Sequence, residues 1–378
     1  MSKVRTDANS TLFGSKGHIS VSRGLADIHG GRPVLITAAD KTLLALPVEG
    51  LDRQRLAAFM TLCSPSLPRL IITERRALAL GLRATTPMAL RLTANDDVST
   101  ILALVSDAKG DCDRSRDANP AGSEAVAAIQ LVKLSHGLPA ILAANVGADV
   151  IVREPNIIAV EADAVWRFSD EATRSLALVS EASVPLNSGT PARFVVFRDA
   201  MGASSVAIVV GRLDFTKAIP VRLHSACLTG DVFGSRRCDC GDQLQLAIAG
   251  LEDLGGGVIL YLPQEGRGLG LANKMRTYQL QDDGLDTVDA NTTLGFDDDE
   301  RDYGIAARML QMLKCTRIVL LTNNPAKLDG LAKAGIEIVS RIGLEAPINA
   351  DNRRYLTAKA ARAGHRLDHL MTSLADPS

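Results

Sequence analysis

The chain has 378 residues, 46% of them hydrophobic and 22% charged, with a formal net charge of −1. That length supports two or three domains, with enough apolar material for two buried cores. A charge this close to zero removes any bulk electrostatic attraction to nucleic acid or a membrane surface. At 3% aromatic, the chain also lacks the stacking platforms of a nucleic-acid module. No apolar run approaches the roughly 18 residues a bilayer span needs. The opening residues Met1-Ser-Lys-Val-Arg-Thr-Asp7 have no apolar core of an export signal, so the cytoplasm is the expected location.

In chain order, the polar first twenty residues are expected to be loose, with structure starting near Ser20. Gly30-Gly31 reads as a turn before a short buried strand, Pro33–Thr37. Leu51–Leu62 has helical spacing and Arg69–Thr73 reads as a second strand. Lys109–Ser123 reads as a loop, Glu124–Leu134 as a helix and Ile157–Glu161 as a strand. The turn-rich stretch Val184–Pro191 is taken as a domain boundary, giving domains 1–183 and 184–378. Beyond it, Phe194–Phe197 and Ser205–Val210 are strand candidates. Gln243–Leu254 is an amphipathic helix closed by Gly255-Gly256-Gly257. Val258–Leu262 is a strand, Leu269–Gln281 and Arg301–Leu313 are helices, and Arg317–Thr322 and Ile336–Ser340 are strands. Arg353–Ala363 is a last helix. Alternating strands and helices predict an α/β domain.

Chemistry concentrates in this second half. Of the six cysteines, Cys227, Cys238 and Cys240 fall within fourteen residues, while Cys63, Cys112 and Cys315 are scattered. That pattern favours metal binding over a disulfide framework. Thiolates suit zinc, and three protein ligands would leave a fourth position for a water of lowered pKa, the catalytic arrangement. A structural site completed by His224 or another cysteine is the competing reading. Three further segments follow strand ends. Pro263-Gln-Glu-Gly-Arg-Gly-Leu-Gly270 offers Glu265 as an acceptor and Arg267 as a phosphate grip. Leu294–Asp302 crowds acids around Arg301. Thr322-Asn-Asn-Pro-Ala-Lys327 places Lys327 beside a helix N-terminus. Taken alone, the first two segments read more simply as a glycine-rich turn and a solvated helix start, and the third also fits a routine cap.

Taken together, these residues resemble GTP cyclohydrolase II. The matching motifs are His224-Ser-Ala-Cys-Leu-Thr-Gly-Asp231, Arg237-Cys-Asp-Cys-Gly241, Gln264-Glu-Gly-Arg267, Leu280-Gln-Asp282, Asp286-Thr-Val-Asp-Ala-Asn291, Leu294-Gly-Phe296, Asp299-Glu-Arg-Asp302 and Leu321-Thr-Asn-Asn-Pro325. The resemblance implies zinc on Cys227, Cys238 and Cys240. It implies GTP contacts from Arg222, Leu223, His224, Ser225, Ala226, Gln243, Glu265, Gly266, Arg267, Thr287, Thr322 and Lys327, with magnesium on the triphosphate. It also implies Asp299 as proton acceptor, Arg301 as nucleophile at the α-phosphorus and Tyr278 in completing ring opening. A guanidinium stays protonated in proteins, so electrostatic stabilisation is the role that chemistry supports for Arg301. The implied products are formate, pyrophosphate and a diaminopyrimidine ribosylamino phosphate, the first step of riboflavin synthesis, made by a homodimer. Ala226 departs from the glutamate common in the family, and Leu262-Pro263 from a His-Arg pair. A zinc-stabilised regulatory descendant would be expected to lack Asp299, Arg301 or a cysteine, and all are present.

The first half is similar, more patchily, to dihydroxybutanone-phosphate synthase, an α+β fold, through Gly30–Thr37, Ile72–Leu82 and Ala128–Leu131. That enzyme's acidic magnesium loop here reads Ala38-Ala-Asp-Lys41, and one aspartate beside a lysine is a poor site for a hard cation. Its histidine-containing motif reads Gly122-Ser-Glu-Ala125, and a later glutamate position falls near Ala143-Ala144. The expectation is a synthase-like domain without synthase chemistry, with His29 and His136 as ordinary surface or core histidines.

Overall fold

The computed structural model describes residues 14–353, apart from 40, 94, 109–115, 148, 149, 151, 152 and 201, together with 357 and 362. The chain forms two compact units. The first contains the described residues up to Glu171 with Met275–Leu280 and Asp289–Asp297; the second contains Ala172–Lys274, Gln281–Val288 and the described residues from Asp298 onward.

The first unit opens with helix α1, Lys16–His29, capped by Ser15, whose Oγ accepts from the His18 amide at 3.0 Å. Structure therefore begins earlier than Ser20. The polar stretch conceals an apolar stripe, Val21, Leu25 and Ile28, buried at helical spacing. Strands β1 (Val34–Ala38) and β2 (Lys41–Pro47) pair as a hairpin, followed by α2 (Arg53–Cys63) and β3 (Arg69–Ile72). Thr73, expected to end that strand, instead caps α3 (Glu74–Ala79). Then come β4 (Met88–Arg91), α4 (Val98–Ser106), β5 (Ala118–Pro120), α5 (Ser123–Leu134), β6 (Ala140–Asn145), β7 (Ala159–Glu161) and α6 (Ala162–Ser175). Strand β5 lies within the expected Lys109–Ser123 loop, of which 109–115 fall outside the described residues. The sheet order is β5-β4-β3-β6-β2-β1-β7, antiparallel except between β1 and β7. Helices α1 and α5 cover it, burying Val21, Leu25, Ile129 and Val132 against Val34, Ile36 and Ile141. This is an α+β unit, as the sequence predicts.

The second unit is built on β8 (Ala177–Pro185), β9 (Pro191–Arg198), β10 (Ser204–Gly211), β11 (Ile219–Ser225), β12 (Gly256–Leu262), β13 (Arg317–Leu321) and β14 (Glu337–Ile342), in the order β14-β13-β11-β12-β10-β9-β8. Strands β14, β13, β11 and β12 run parallel, and β10, β9 and β8 continue antiparallel. The connecting helices are α7 (Cys240–Asp253), α8 (Leu271–Asp282), α9 (Thr287–Thr293), α10 (Gly304–Met312) and α11 (Pro325–Lys333), with α8 and α9 passing in part into the first unit. The turn-rich stretch near 184–191 is the β8–β9 hairpin, closed by a bond from the Leu186 amide to the Thr190 carbonyl at 2.9 Å. The same residue types serve linkers and hairpin turns, so the compact units divide at Glu171, upstream of that stretch.

Two element ends differ from expectation for local reasons. Helix α7 stops at Asp253, and Gly256 and Gly257 belong to β12; a Cβ at Gly257 would lie 2.6 Å from the Pro220 carbonyl oxygen of the neighbouring strand β11. Helix α10 starts at Gly304, where the Asp302 side chain accepts from the Gly304 amide at 2.7 Å, leaving Arg301 ahead of the helix. The expected Arg353–Ala363 helix lies largely outside the described residues.

Strand β12 is central in this sheet, and Leu260 on it is fully buried among Leu223, Val221 and Leu310. Leu260→Ala is expected to destabilise the second unit by about 2–5 kcal/mol, read by denaturant unfolding.

Candidate active site

Parallel pairing aligns three strand ends. Ser225 on β11 pairs with Leu262 on β12, and Val221 pairs with Leu320 on β13. The loops leaving these carboxyl ends carry the cysteines, the Glu265–Gly268 turn and the Thr322–Lys327 segment, at the edge where α/β folds place ligands.

The loop after β11 folds as a tight π-type turn, Leu228–Val232, which returns the chain to Cys238 and the start of α7. The sulfurs of Cys227, Cys238 and Cys240 all lie within 4.8 Å of one another, and no other described residue joins this metal-capable group. Glycine is demanded twice. A Cβ at Gly230 would sit 2.7 Å from the Cys238 sulfur, and one at Gly241 would sit 2.4 Å from the Gly230 carbonyl oxygen. Hydrogen bonding from Cys238 and Cys240 pulls the Cys227 thiol far down against the effect of burial, with Lys274 and Thr229 assisting. The Lys274 ammonium donates to the Cys227 sulfur at 3.0 Å, to Thr229 Oγ1 at 2.9 Å and to Glu265 Oε1 at 2.7 Å. Three clustered soft donors, one of them bonded to the Lys274 ammonium, are a donor set suited to zinc.

His224 does not complete this set. Its Nε2 meets Asp231 Oδ1 at 3.0 Å, and its ring stacks on Tyr261. Asp231 also accepts from the Cys227 amide at 3.0 Å and the Tyr261 hydroxyl at 2.9 Å, so one carboxylate ties the start of the loop to β11 and β12. Burial pushes the His224 imidazole down despite Asp231. The neutral ring leaves Nδ1 buried without a partner among the described residues.

A second cluster is cationic. Buried Arg222 donates to the Leu321 carbonyl at 3.1 Å and to Gln243, which in turn donates to Asp239. Burial pushes Arg222 down to about 10. Its Nε has no partner among the described residues. Lys327, on the first turn of α11, is buried and donates to the Leu223 carbonyl at 2.7 Å. Burial, with repulsion from Arg222 and Arg301, pushes it well below the ordinary lysine value. Asn324 caps α11, accepting from the Ala326 amide at 2.9 Å, and Thr322 Oγ1 accepts from the Asn324 amide at 3.1 Å. Mutually repelling buried cations beside a helix N-terminus favour an anionic ligand.

Arg301 and Asp299 form a bidentate pair at 2.7 and 2.6 Å, and Arg301 reaches Ser225 Oγ at 3.5 Å. The Tyr303 hydroxyl donates to Asp299 at 3.1 Å. Burial raises the Asp299 carboxyl, but Arg301 and Arg267 outweigh it and hold the group below the ordinary carboxylate value. A depressed folded value means that this pair's contribution is present above the unfolded value near ~3.9 and is lost as pH falls through the folded one. Asp299 is therefore ionised at neutral pH.

Glu265 Oε2 accepts from the Leu228 amide at 2.7 Å, tying the turn after β12 to the cysteine loop. Gly266 and Arg267 are both left-handed, at φ 62° and 63°; for Arg267 that is strained backbone of the kind found at functional sites. Arg267 donates to the Asp298 carbonyl at 3.1 Å, and the Glu300 amide returns a bond to the Arg267 carbonyl at 3.1 Å. The Ala226 amide donates to the Leu262 carbonyl at 2.8 Å, so this residue's backbone bridges two loops whatever its side chain.

These bonds link most of the sequence-predicted residues. Two stand elsewhere. Thr287 accepts from Gln281 at 3.1 Å and lines a cavity of about 110 Å³ with Arg237, Asp282, Leu285, Asp286 and Asp351, where no other predicted GTP contact appears. Tyr278 is half-buried on the stretch of α8 that belongs to the first unit. Sequence reasoning missed the roles of Asp231, Lys274 and Tyr303. Asp231 stands in the quoted motif and Tyr303 directly follows the acidic run, whereas Lys274 sits in the first turn of α8 with no local signal.

The second unit is an α/β enzyme fold whose strand-end loops join a metal-capable thiol cluster to buried cations. A family model for GTP cyclohydrolase II matches residues 177–343. A GTP cyclohydrolase-2 of Xylella fastidiosa is 40% identical over 363 residues, covering 94% of this chain and 89% of that protein. A GTP cyclohydrolase-2 of Azotobacter vinelandii is 46% identical over 196 residues, which cover 52% of this chain and 94% of its own length. The riboflavin biosynthesis protein RibBA of Bacillus mycoides is 52% identical over 163 residues, 43% of this chain and 41% of that protein. The chain belongs to the GTP cyclohydrolase II family.

Two outcomes follow from this geometry. Gly230→Ala is expected to lower bound zinc below half an equivalent under conditions where the native chain is saturated, read by elemental analysis. Tyr303→Phe removes one donor from Asp299, so the Asp299 carboxyl is expected to titrate at higher pH than in the native chain, read by NMR titration.

Proposed function

We propose that this protein hydrolyses GTP to 2,5-diamino-6-ribosylamino-pyrimidinone 5′-phosphate, releasing formate and pyrophosphate, as the first step of riboflavin biosynthesis. The observation that carries the reading is the bonded continuity of the site: Lys274 joins Cys227 to Glu265, and Arg301 joins Asp299 to Ser225, next along β11 to the metal-capable loop.

Cys227, Cys238 and Cys240 would hold zinc. When bound by three sulfurs, zinc keeps a position for water and lowers that water's pKa toward ~7. Arg222 and Lys327 bind the triphosphate with the amides at the start of α11, and a magnesium ion carried on the triphosphate would offset the charge that these two cations leave. Arg267 and Thr322 orient the same group. Glu265, with Gly266, holds guanine through its amino groups once its bonds to Lys274 and Leu228 rearrange. Asp299, ionised at neutral pH, accepts the proton released as water adds at the imidazole carbon. Arg301 stays protonated against Asp299 and stabilises charge developing at the α-phosphorus. Gln243 keeps Arg222 in place, Tyr278 supports completion of ring opening, and Thr287 contributes through the cavity it lines. A homodimer working in the cytoplasm belongs to the same reading.

The first unit fits a synthase-like domain without synthase chemistry. Ala38 pairs with Lys41 across the β1–β2 hairpin, Asp40 lies outside the described residues, and Ala143 and Ala144 are buried on β6 where that family has a carboxylate.

Formate release from GTP by zinc- and magnesium-loaded protein tests the proposal, beside a Cys238→Ser control. Formate with a diaminopyrimidine product, lost in the control, is expected. Zinc bound in full with no turnover of GTP would overturn it. Asp299→Asn is expected to lower kcat by roughly 10²–10⁴-fold while bound zinc stays at one equivalent.

A further inference from the structure

The segment Asp289–Asp297 belongs to the first compact unit, and Asp299 follows it by two residues along the chain. Within that unit the segment's last five residues, Thr293–Asp297, are each bonded, ion-paired or buried. Buried Thr73 donates from Oγ1 to the Gly295 carbonyl at 2.8 Å while accepting from the Arg76 amide at 3.1 Å. Gly295 has φ +87°, and a Cβ there would meet Thr73 Oγ1 at 2.7 Å. Arg76, 2% exposed, donates to the Thr293 carbonyl at 2.9 Å and to the Leu104, Ala103 and Asp107 carbonyls at 2.8–2.9 Å. Leu294 and Phe296 are each 1% exposed. Arg75 pairs with Asp297 at 2.9 Å, and Lys133 reaches the same carboxylate at 3.7 Å.

A guanidinium costs free energy to bury, and this one takes backbone carbonyls from two distant stretches of chain. Such bonds fix backbone position where apolar packing alone would allow sliding. We infer that the first unit acts as a clamp on Thr293–Asp297, setting the point from which the chain enters the Asp299–Arg301 loop. Thr73, Arg75 and Arg76 are thus positioning residues for GTP hydrolysis. This inference rests on the roles given to Asp299 and Arg301 above. It supplies a reason for the chain to keep a unit without synthase chemistry: the unit's work is geometric.

The test uses the full chain with Thr73→Val and Arg75→Ala combined, since Arg75 is exposed and Thr73→Val nearly keeps volume. Hydrogen–deuterium exchange over residues 293–301, bound zinc, and the kinetics of formate release are read together. The expected result is faster exchange confined to that stretch, zinc unchanged, and kcat lower by roughly ten- to a hundredfold with KM for GTP little altered. Thr73→Ser alone, which keeps the hydroxyl, is expected to match the native chain. Native kcat in a variant with loosened 293–301, or lower kcat without loosening there, would overturn the inference. If the native chain releases no formate, the functional reading fails separately, and exchange alone then decides whether the clamp exists.

Discussion

The structure of the second unit depends on the parallel pairing of β11 between β12 and β13. Ser225 sits opposite Leu262, and Val221 opposite Val258 and Leu320, so three chain exits share one edge. A shift of one residue in that register would turn Arg222 and His224 to the other face of the sheet and carry Cys227 away from its partners. The largely apolar strands Val258–Leu262 and Ile318–Leu321 hold the register, because both faces of the central sheet are covered.

Charge is arranged on this edge in opposing groups. Around the cysteines, the Cys227 sulfur is met by the Lys274 ammonium, itself balanced by Glu265. Close by, Arg222, Lys327 and Arg301 repel one another, with Asp299 bonded directly to Arg301. An apolar ligand would leave that repulsion in place, whereas a polyphosphate relieves it. The same logic explains why Lys327 rests on a carbonyl at the end of β11: a buried ammonium must find an acceptor until an anion arrives.

How much was legible in advance follows from how local each feature is. The cysteine spacing, the Asn324-Pro325 helix start and the buried strands are short-range patterns, and they stand close to where they were read. Helix α1 was missed because its apolar stripe is thin amid polar residues. The hairpin at 185–191 carried the same residues a linker would. Lys274 is silent in sequence because its role arises from three contacts spread over 47 residues. His224 could be read as a zinc ligand by spacing; only the fold shows its Nε2 engaged by Asp231.

The central claim is that metal and polyphosphate share one site, and cobalt substitution tests it most directly. With Co²⁺ on the three cysteines, a thiolate-to-metal charge-transfer band should be present. Saturation with GTP or a non-hydrolysable analogue should shift it, because the nucleotide would bind at the adjoining cluster of Arg222, Lys327 and Arg301. A cobalt spectrum with three sulfur ligands that stays unchanged at saturating nucleotide would contradict the account and separate the metal from the nucleotide site.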